Sequence, residues 1–185
     1  MKRVYTFLAD GFEEVEALTI VDLLRRAEVE TKLVSVTGNE TVTGAHGITV
    51  LADCKIEELT EAADAVFLPG GMPGTLGLKA CKPLETLILE YAANPQKIVA
   101  AICAAPSILG ELGLLEGKKA TCYPGFEQKL RGAVVCKESV VCDGNVITSR
   151  GVGTAIEMAL TMIAGLTGQK EKAETIGKSI MYYDV

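Results

Sequence analysis

Residues 97–112 read KIVAAICAAPSILGEL. The stretch from Ile98 to Ile102 is apolar throughout, as in a strand covered on both faces. After Ala104 the apolar spacing becomes helical, and Pro106 suits the first turn of a helix, where a missing N–H costs nothing. A buried strand running straight into a helix is the repeating step of an α/β fold. Cys103 stands where one period gives way to the other.

The same alternation extends along the chain in both directions. RVYTFL (3–8) reads as a strand and EEVEALTIVDLLRRA (13–27) as a helix, with Phe12, Val15, Leu18 and Leu24 along its apolar face. KLVSVT (32–37) is a strand, and 42–52 is a small β excursion around Gly44 and Gly47. DAVFLPGG (64–71) is a buried strand entering a glycine loop. Residues 76–93 read as helix with an irregular turn near Pro83, and KATCY (119–123) as a short strand. SVVCDGNVITS (139–149) is a hairpin turning on Asp143-Gly144. Residues 154–168 form a helix ending at Gly168, and 169–185 a short helix and tail. The pattern predicts one α/β domain over 1–185, with a largely parallel sheet covered on both faces.

Composition excludes several classes. Of 185 residues 49% are apolar and 23% charged, which is ordinary for a soluble globular chain. No apolar run is long enough to span a bilayer, and MKRVYTFLADGFEE is no secretory signal, so a cytoplasmic protein with no membrane partner is expected. The net charge of −6 is scattered, with no basic stripe for a nucleic acid. Six cysteines form no CxxC pair and His46 is the single histidine, which argues against a structural metal site. A disulfide scaffold belongs to short secreted chains. No metal or cofactor is expected, and most of the cysteines read as buried small hydrophobes.

In such folds ligands bind beyond the carboxyl ends of the strands. At one such end, Cys103 sits at or just before a helix N-terminus. Unpaired N–H groups and the helix dipole there favour a thiolate. A buried, inert cysteine is the alternative. At a second, Gly70-Gly71 exposes N–H groups able to hold a carboxylate, a phosphate or an oxyanion, or is a plain tight turn. No Gly-Lys-Ser/Thr follows, so it is not a P-loop. At the third, Glu13, Glu14 and Glu16 begin a helix. The dipole accounts for two of them. Glu16, flanked by Val15 and Leu18, falls near the buried stripe, where a carboxyl keeps its proton. Ala104 follows the cysteine where a protease would need a histidine nearby. A peptidase would therefore take its base from across a subunit interface.

Together the segments GFEEVEALTIVDLLRRA, VFLPGGMPG, AAICAAPSIL and TSRGVGTAIEMAL resemble the ThiJ/PfpI superfamily, specifically its DJ-one branch, over about residues 3–180. The resemblance implies a flavodoxin-like three-layer sandwich, akin to class I glutamine amidotransferases, that forms a homodimer. It implies a reactive Cys103, a protonated Glu16 as its partner, and oxyanion amides at Gly70, Gly71 and Ala104. Tyr123 falls where some members carry a histidine, and tyrosine is a poor base at neutral pH. Val152 replaces a proline common in the SRG segment. His46 and Arg26 would lie near the partner subunit's pocket, if they are not plain surface residues. The activities implied are a glutathione-independent glyoxalase or deglycase acting on small aldehydes or glycated adducts, a redox sensor or chaperone using the same cysteine, and an intracellular peptidase.

Overall fold

A computed structural model describes residues 1–183; the last two residues of the expected tail lie outside the described part. In chain order the elements are β1 (Arg3–Leu8), α1 (Glu14–Arg26), β2 (Glu30–Ser35), β3 (Thr41–Thr43), β4 (Thr49–Leu51), β5 (Cys54–Lys55) and β6 (Ala65–Leu68). There follow α2 (Gly74–Ala80), α3 (Lys82–Ala93), β7 (Ile98–Ile102), α4 (Pro106–Glu111), β8 (Lys119–Ala120) and β9 (Val134–Val135). The chain closes with β10 (Val140–Asp143), β11 (Val146–Ser149), α5 (Ala155–Thr167) and α6 (Lys170–Ser179).

Seven strands form one flavodoxin-like sheet in the order β10-β11-β7-β6-β1-β2-β5. All its pairings are parallel except β10 with β11. Strand alternation explains why the runs are apolar throughout. In β7, Val99 and Ala101 face α2, α3 and α4, while Ala100 and Ile102 face α1 and α5. In β6, Val66 and Leu68 take the first side and Ala65 and Phe67 the second. Both faces of these strands are dry, so neither can carry polar residues. The β3–β4 hairpin packs Val42 with Phe12, Ala17 and Val21 in a smaller cluster outside the main layers.

Several boundaries move from their expected places, each for a local reason. β2 starts at Glu30, since every residue of β1 finds a parallel partner from Arg3↔Glu30 to Leu8↔Ser35. The helix expected at 76–93 is two helices broken at Cys81, where Pro83 has no N–H to offer the preceding turn. Residues 121–123 are not strand. Thr121 N–H turns to Thr148 Oγ1 at 3.0 Å and Tyr123 N–H to Cys103 O at 2.9 Å. The hairpin turns on Gly144-Asn145 rather than Asp143-Gly144, because Asp143 pairs with Val146. Gly144 has a positive φ of 60°, which suits the first position of such a two-residue turn. Gly168 ends α5 in the left-handed conformation, as expected.

Candidate active site

The carboxyl ends of β6, β7 and β11 and the start of α1 meet at one cleft of about 590 Å³. Cys103, Glu16, Gly71 and Tyr123 line it, together with Glu13, Ser139 and the segment Arg150–Thr154.

Cys103 is the first residue after β7 and has φ +63°. A side chain at positive φ is strained by about 1–3 kcal/mol and is held only where its surroundings insist. Here the N–H of Cys103 donates to Ser149 O at 3.0 Å and its carbonyl accepts from Tyr123 N–H at 2.9 Å. The neighbouring strand and the loop after β8 thus pin both of its backbone groups. The turn throws Sγ back toward the Gly70-Gly71 loop, where the Gly71 and Ala104 amides pull the thiol pKa down.

Gly70 is required by this close approach. A Cβ there would fall 2.6 Å from Cys103 Cβ and 2.9 Å from Glu16 Oε2. Gly71 has φ +90°, and a Cβ on it would meet the Glu13 N atom at 2.4 Å. The two glycines do different work. Gly70 N–H donates to Glu16 Oε2 at 2.8 Å, and Gly70 O accepts from Glu13 N–H at 2.9 Å. Its amide is therefore occupied by Glu16, and the amides that face the sulfur are those of Gly71 and Ala104. That corrects the expectation of three oxyanion donors.

Glu16 lies in the first turn of α1 on the face of Ile20, Leu23 and Leu24, and it is wholly buried. Val15, read above as part of the apolar stripe, is half exposed: the stripe runs through Glu16 itself. Burial pushes the Glu16 carboxyl up to about 7, against the pull of the Gly70 amide and a hydrogen bond to Cys103. Burial, the Glu16 charge and the hydrogen bond to Glu16 push the Cys103 thiol up to about 12, against the Ala104 and Gly71 amides. The thiol pKa is thus raised, where a lowered one is expected from the helix N-terminus. The physical reason is that the sulfur is enclosed, and enclosed beside a carboxyl. Two of the three upward causes come from Glu16 and vanish when Glu16 holds the proton. Above about pH 7 the single negative charge of the pair rests on Glu16 and the thiol keeps its proton, so a thiolate arises by passing that proton to the carboxylate.

Of the outlying candidates, Tyr123 lines the cleft and is half exposed. His46 and Arg26 do not line the cleft of their own chain. His46 Nδ1 is bound to Glu14 Oε2 at 2.9 Å. Arg26 pairs with Asp22 at 2.8 Å. It stands at the far end of α1 from Glu16, nearly three helical turns away. Arg150, Ser139 and Thr154 are cleft residues that the reading of the sequence passed over. Arg150 directly follows β11, so a search of strand ends should have reached it. Among the described residues, Glu13, Glu14 and His46 form the one group of carboxylates and imidazole close enough to share a cation. It is accounted for by the Glu14–His46 hydrogen bonds.

A flavodoxin-like sandwich carrying a cysteine on a strained strand-to-helix turn, with a buried glutamic acid beside it, defines a class of thiol proteins. Residues 2–165 match the DJ-1/PfpI family, and the chain belongs to it. It is 40% identical over 183 residues to protein DJ-1 homolog B of Arabidopsis thaliana, covering 97% of this chain and 42% of that protein. The chain thus spans less than half the length of that relative. A deglycase of Pyrococcus abyssi is 37% identical over 155 residues, 82% of this chain and 91% of that one. The structure of Toxoplasma gondii DJ-1 in its oxidized form superimposes with a TM-score of 0.94 at 35% identity, covering 100% of both chains. No described helix is long and apolar enough to cross a membrane.

Proposed function

We propose that the chain is a cysteine-dependent enzyme acting on α-oxo aldehydes, or on their early adducts with thiols and amines, as a glutathione-independent glyoxalase or deglycase. One observation carries this reading: Cys103 is held at positive φ against the Gly70-Gly71 loop, beside the wholly buried carboxyl of Glu16. The deglycase name of the Pyrococcus abyssi relative supports the substrate class.

With methylglyoxal, the Cys103 thiolate attacks the aldehyde carbon and a C–S bond forms. The Gly71 and Ala104 amides hold the resulting oxyanion. Glu16 passes its proton to that oxygen, then as carboxylate takes the C1 proton; the C1 hydroxyl proton passes to the neighbouring C2 oxygen of the enediolate, and Glu16 returns the carbon-bound proton to C2. The aldehyde carbon is thereby oxidised to a thioester and the ketone reduced to an alcohol, within one molecule. Water cleaves the thioester to lactate and restores the thiol. Tyr123 donates a hydrogen bond at the rim and takes no proton. Lactate formed from methylglyoxal by wild type and by Cys103→Ser tests this; equal rates would sink it.

A second reading uses the same sulfur as an oxidation sensor. The oxidized state of the Toxoplasma gondii relative favours it. Two equivalents of peroxide convert the thiolate to a sulfinate, whose oxygens take the Gly71 and Ala104 N–H groups and a protonated Glu16. Intact mass after mild peroxide should show two added oxygens on Cys103. First oxidation at another cysteine would remove this reading.

The proposal includes a homodimer in a cytoplasmic setting. Val15, Ile48 and Leu51 expose apolar side chains on α1 and the β3–β4 hairpin, next to His46. They suit a face that meets a second copy, which sedimentation would reveal as twice the chain mass.

A further inference from the structure

The cleft is larger than its proposed chemistry needs. Methylglyoxal has five heavy atoms and fills roughly 150 Å³ at water-like packing, against about 590 Å³ available. Besides the residues around Cys103, the cleft is lined by Arg150, Gly151, Val152, Gly153 and Thr154. Thr154 Oγ1 accepts from Gly151 N–H at 3.1 Å, and Thr154 N–H donates to Gly151 O at 2.9 Å, closing this segment into a tight turn. The Val152 and Gly153 N–H groups find no acceptor among the described residues. They stand at the N-terminal end of α5, a 13-residue helix, whose dipole favours an anion there.

Two further features point to a bound group. Arg3, Arg25 and Arg26 are each held in an ion pair, whereas Arg131 and Arg150 have no carboxylate within salt-bridge distance among the described residues, and of these two only Arg150 lines the cleft. Among the described residues its guanidinium makes one hydrogen bond, a long one from Nη1 to Lys137 O at 3.3 Å. In the same cleft Glu16, fully buried, leaves Oε1 without any partner. The acidic groups that would oppose an anion are Glu13, which stands 3.7 Å from the His46 ring, Glu127, whose carboxylate is drawn to Arg150, and Glu16 once it is ionised.

We propose that Arg150 and the Val152 and Gly153 N–H groups form an anion subsite for a carboxylate carried by the substrate. The preferred substrates are then α-oxo aldehydes, or their adducts, with a carboxylate beyond the dicarbonyl unit. This rests on the reading of Cys103 as the nucleophile. Glu16 Oε1 meets the reacting oxygens while the far carboxylate takes the guanidinium, whose planar fork suits two oxygens.

The test compares 4,5-dioxopentanoate with methylglyoxal. Wild type should favour the first in kcat/KM by tenfold or more, and added salt should shrink the preference. Arg150→Met should cut the ratio at least tenfold. Val152→Pro removes one N–H. The extended backbone of Gly151 before it is compatible with a following proline. This variant should cut the ratio two- to fivefold. A second measurement needs no turnover: protection of Cys103 from iodoacetamide by 4-oxopentanoate and by its methyl ester. The acid should protect at lower concentration than the ester in wild type, and equally in Arg150→Met. Equal protection in wild type, or a substrate ratio unmoved by Arg150→Met, overturns the subsite. Loss of all turnover with acid-selective protection intact would support the subsite and sink the glyoxalase reading instead.

Discussion

Glu14 and Glu16 sit two residues apart in the first turn of the same helix, and both are buried. Burial pushes each upward, yet Glu16 is raised to about 7 and Glu14 ends below its ordinary value. The partners decide. Glu14 Oε1 accepts the His46 N–H at 2.7 Å, and Oε2 faces the His46 ring at 2.9 Å. Glu16 has one amide, a thiol and an orphaned oxygen. A buried carboxyl well supplied with donors stays charged and acts as a clamp for the β3–β4 hairpin. One left short of donors keeps a proton and can move it.

The sharpest way to break this comparison is Glu16→Gln. The amide can still accept from Gly70 but cannot shuttle a proton. Turnover of methylglyoxal should fall roughly 10²–10⁴-fold. A loss of only a few-fold would mean that Glu16 is a packing residue like its neighbour. The next effect is on stability against pH. The folded pKa of Glu16 is above its unfolded value of 4.5, so its contribution to stability is complete below 4.5 and is lost as pH rises through about 7. Chemical denaturation of wild type should show that loss, on the order of 3 kcal/mol at most. Glu16→Gln should lose less stability than wild type over the same window, the difference being the Glu16 contribution.

How much of this could be read in the chain depends on how local the cause is. The change of period at Cys103 is local and places that residue from the sequence. Val15 and Leu18 set Glu16 near the buried stripe in the sequence pattern, whereas its neighbours on that face are Ile20 and Leu23 and Val15 is half exposed. The positive φ of Cys103 is not local: Ser149 and Tyr123 impose it from distant segments. Likewise Gly70-Gly71 reads as two open amides, and only the folded chain shows one of them bound to Glu16. The helix dipole suggested a lowered thiol pKa; the enclosure of the sulfur and the carboxyl beside it reverse it. The largely parallel sheet covered on both faces follows from the β/α alternation; the order of its seven strands does not, because it is set by pairings between distant segments. The bend at 121–123 follows from contacts with β7 and β11 that no local pattern encodes.

Glu14 supplies a smaller effect from the other side of the comparison. Glu14→Ala leaves the His46 N–H and ring without their acceptor and should cost about 2 kcal/mol, within the range for hydrogen bonds to a charged group. Because Glu14 does not touch the sulfur, the pH profile of Cys103 alkylation should stay in place, while Glu16→Gln should shift it.

The smallest expected effect lies in the partner of the clamp. The Glu14 side chain, then the Glu13 and Glu14 charges, raise the His46 pKa above 6.5. A raised histidine contributes its stability fully below the unfolded pKa and loses it as pH rises through the folded one. His46→Ala should therefore weaken hydrogen-exchange protection of the β3–β4 amides below about pH 6.5, with the gap from wild type closing as the pH is raised. Since Glu14 Oε1 still takes the backbone N–H of residue 46, protection should drop less than in Glu14→Ala at every pH. A gap that widened toward alkaline pH would show that the ring is held by packing alone, and that the carboxylate, unlike Glu16, needs no cation to stay charged.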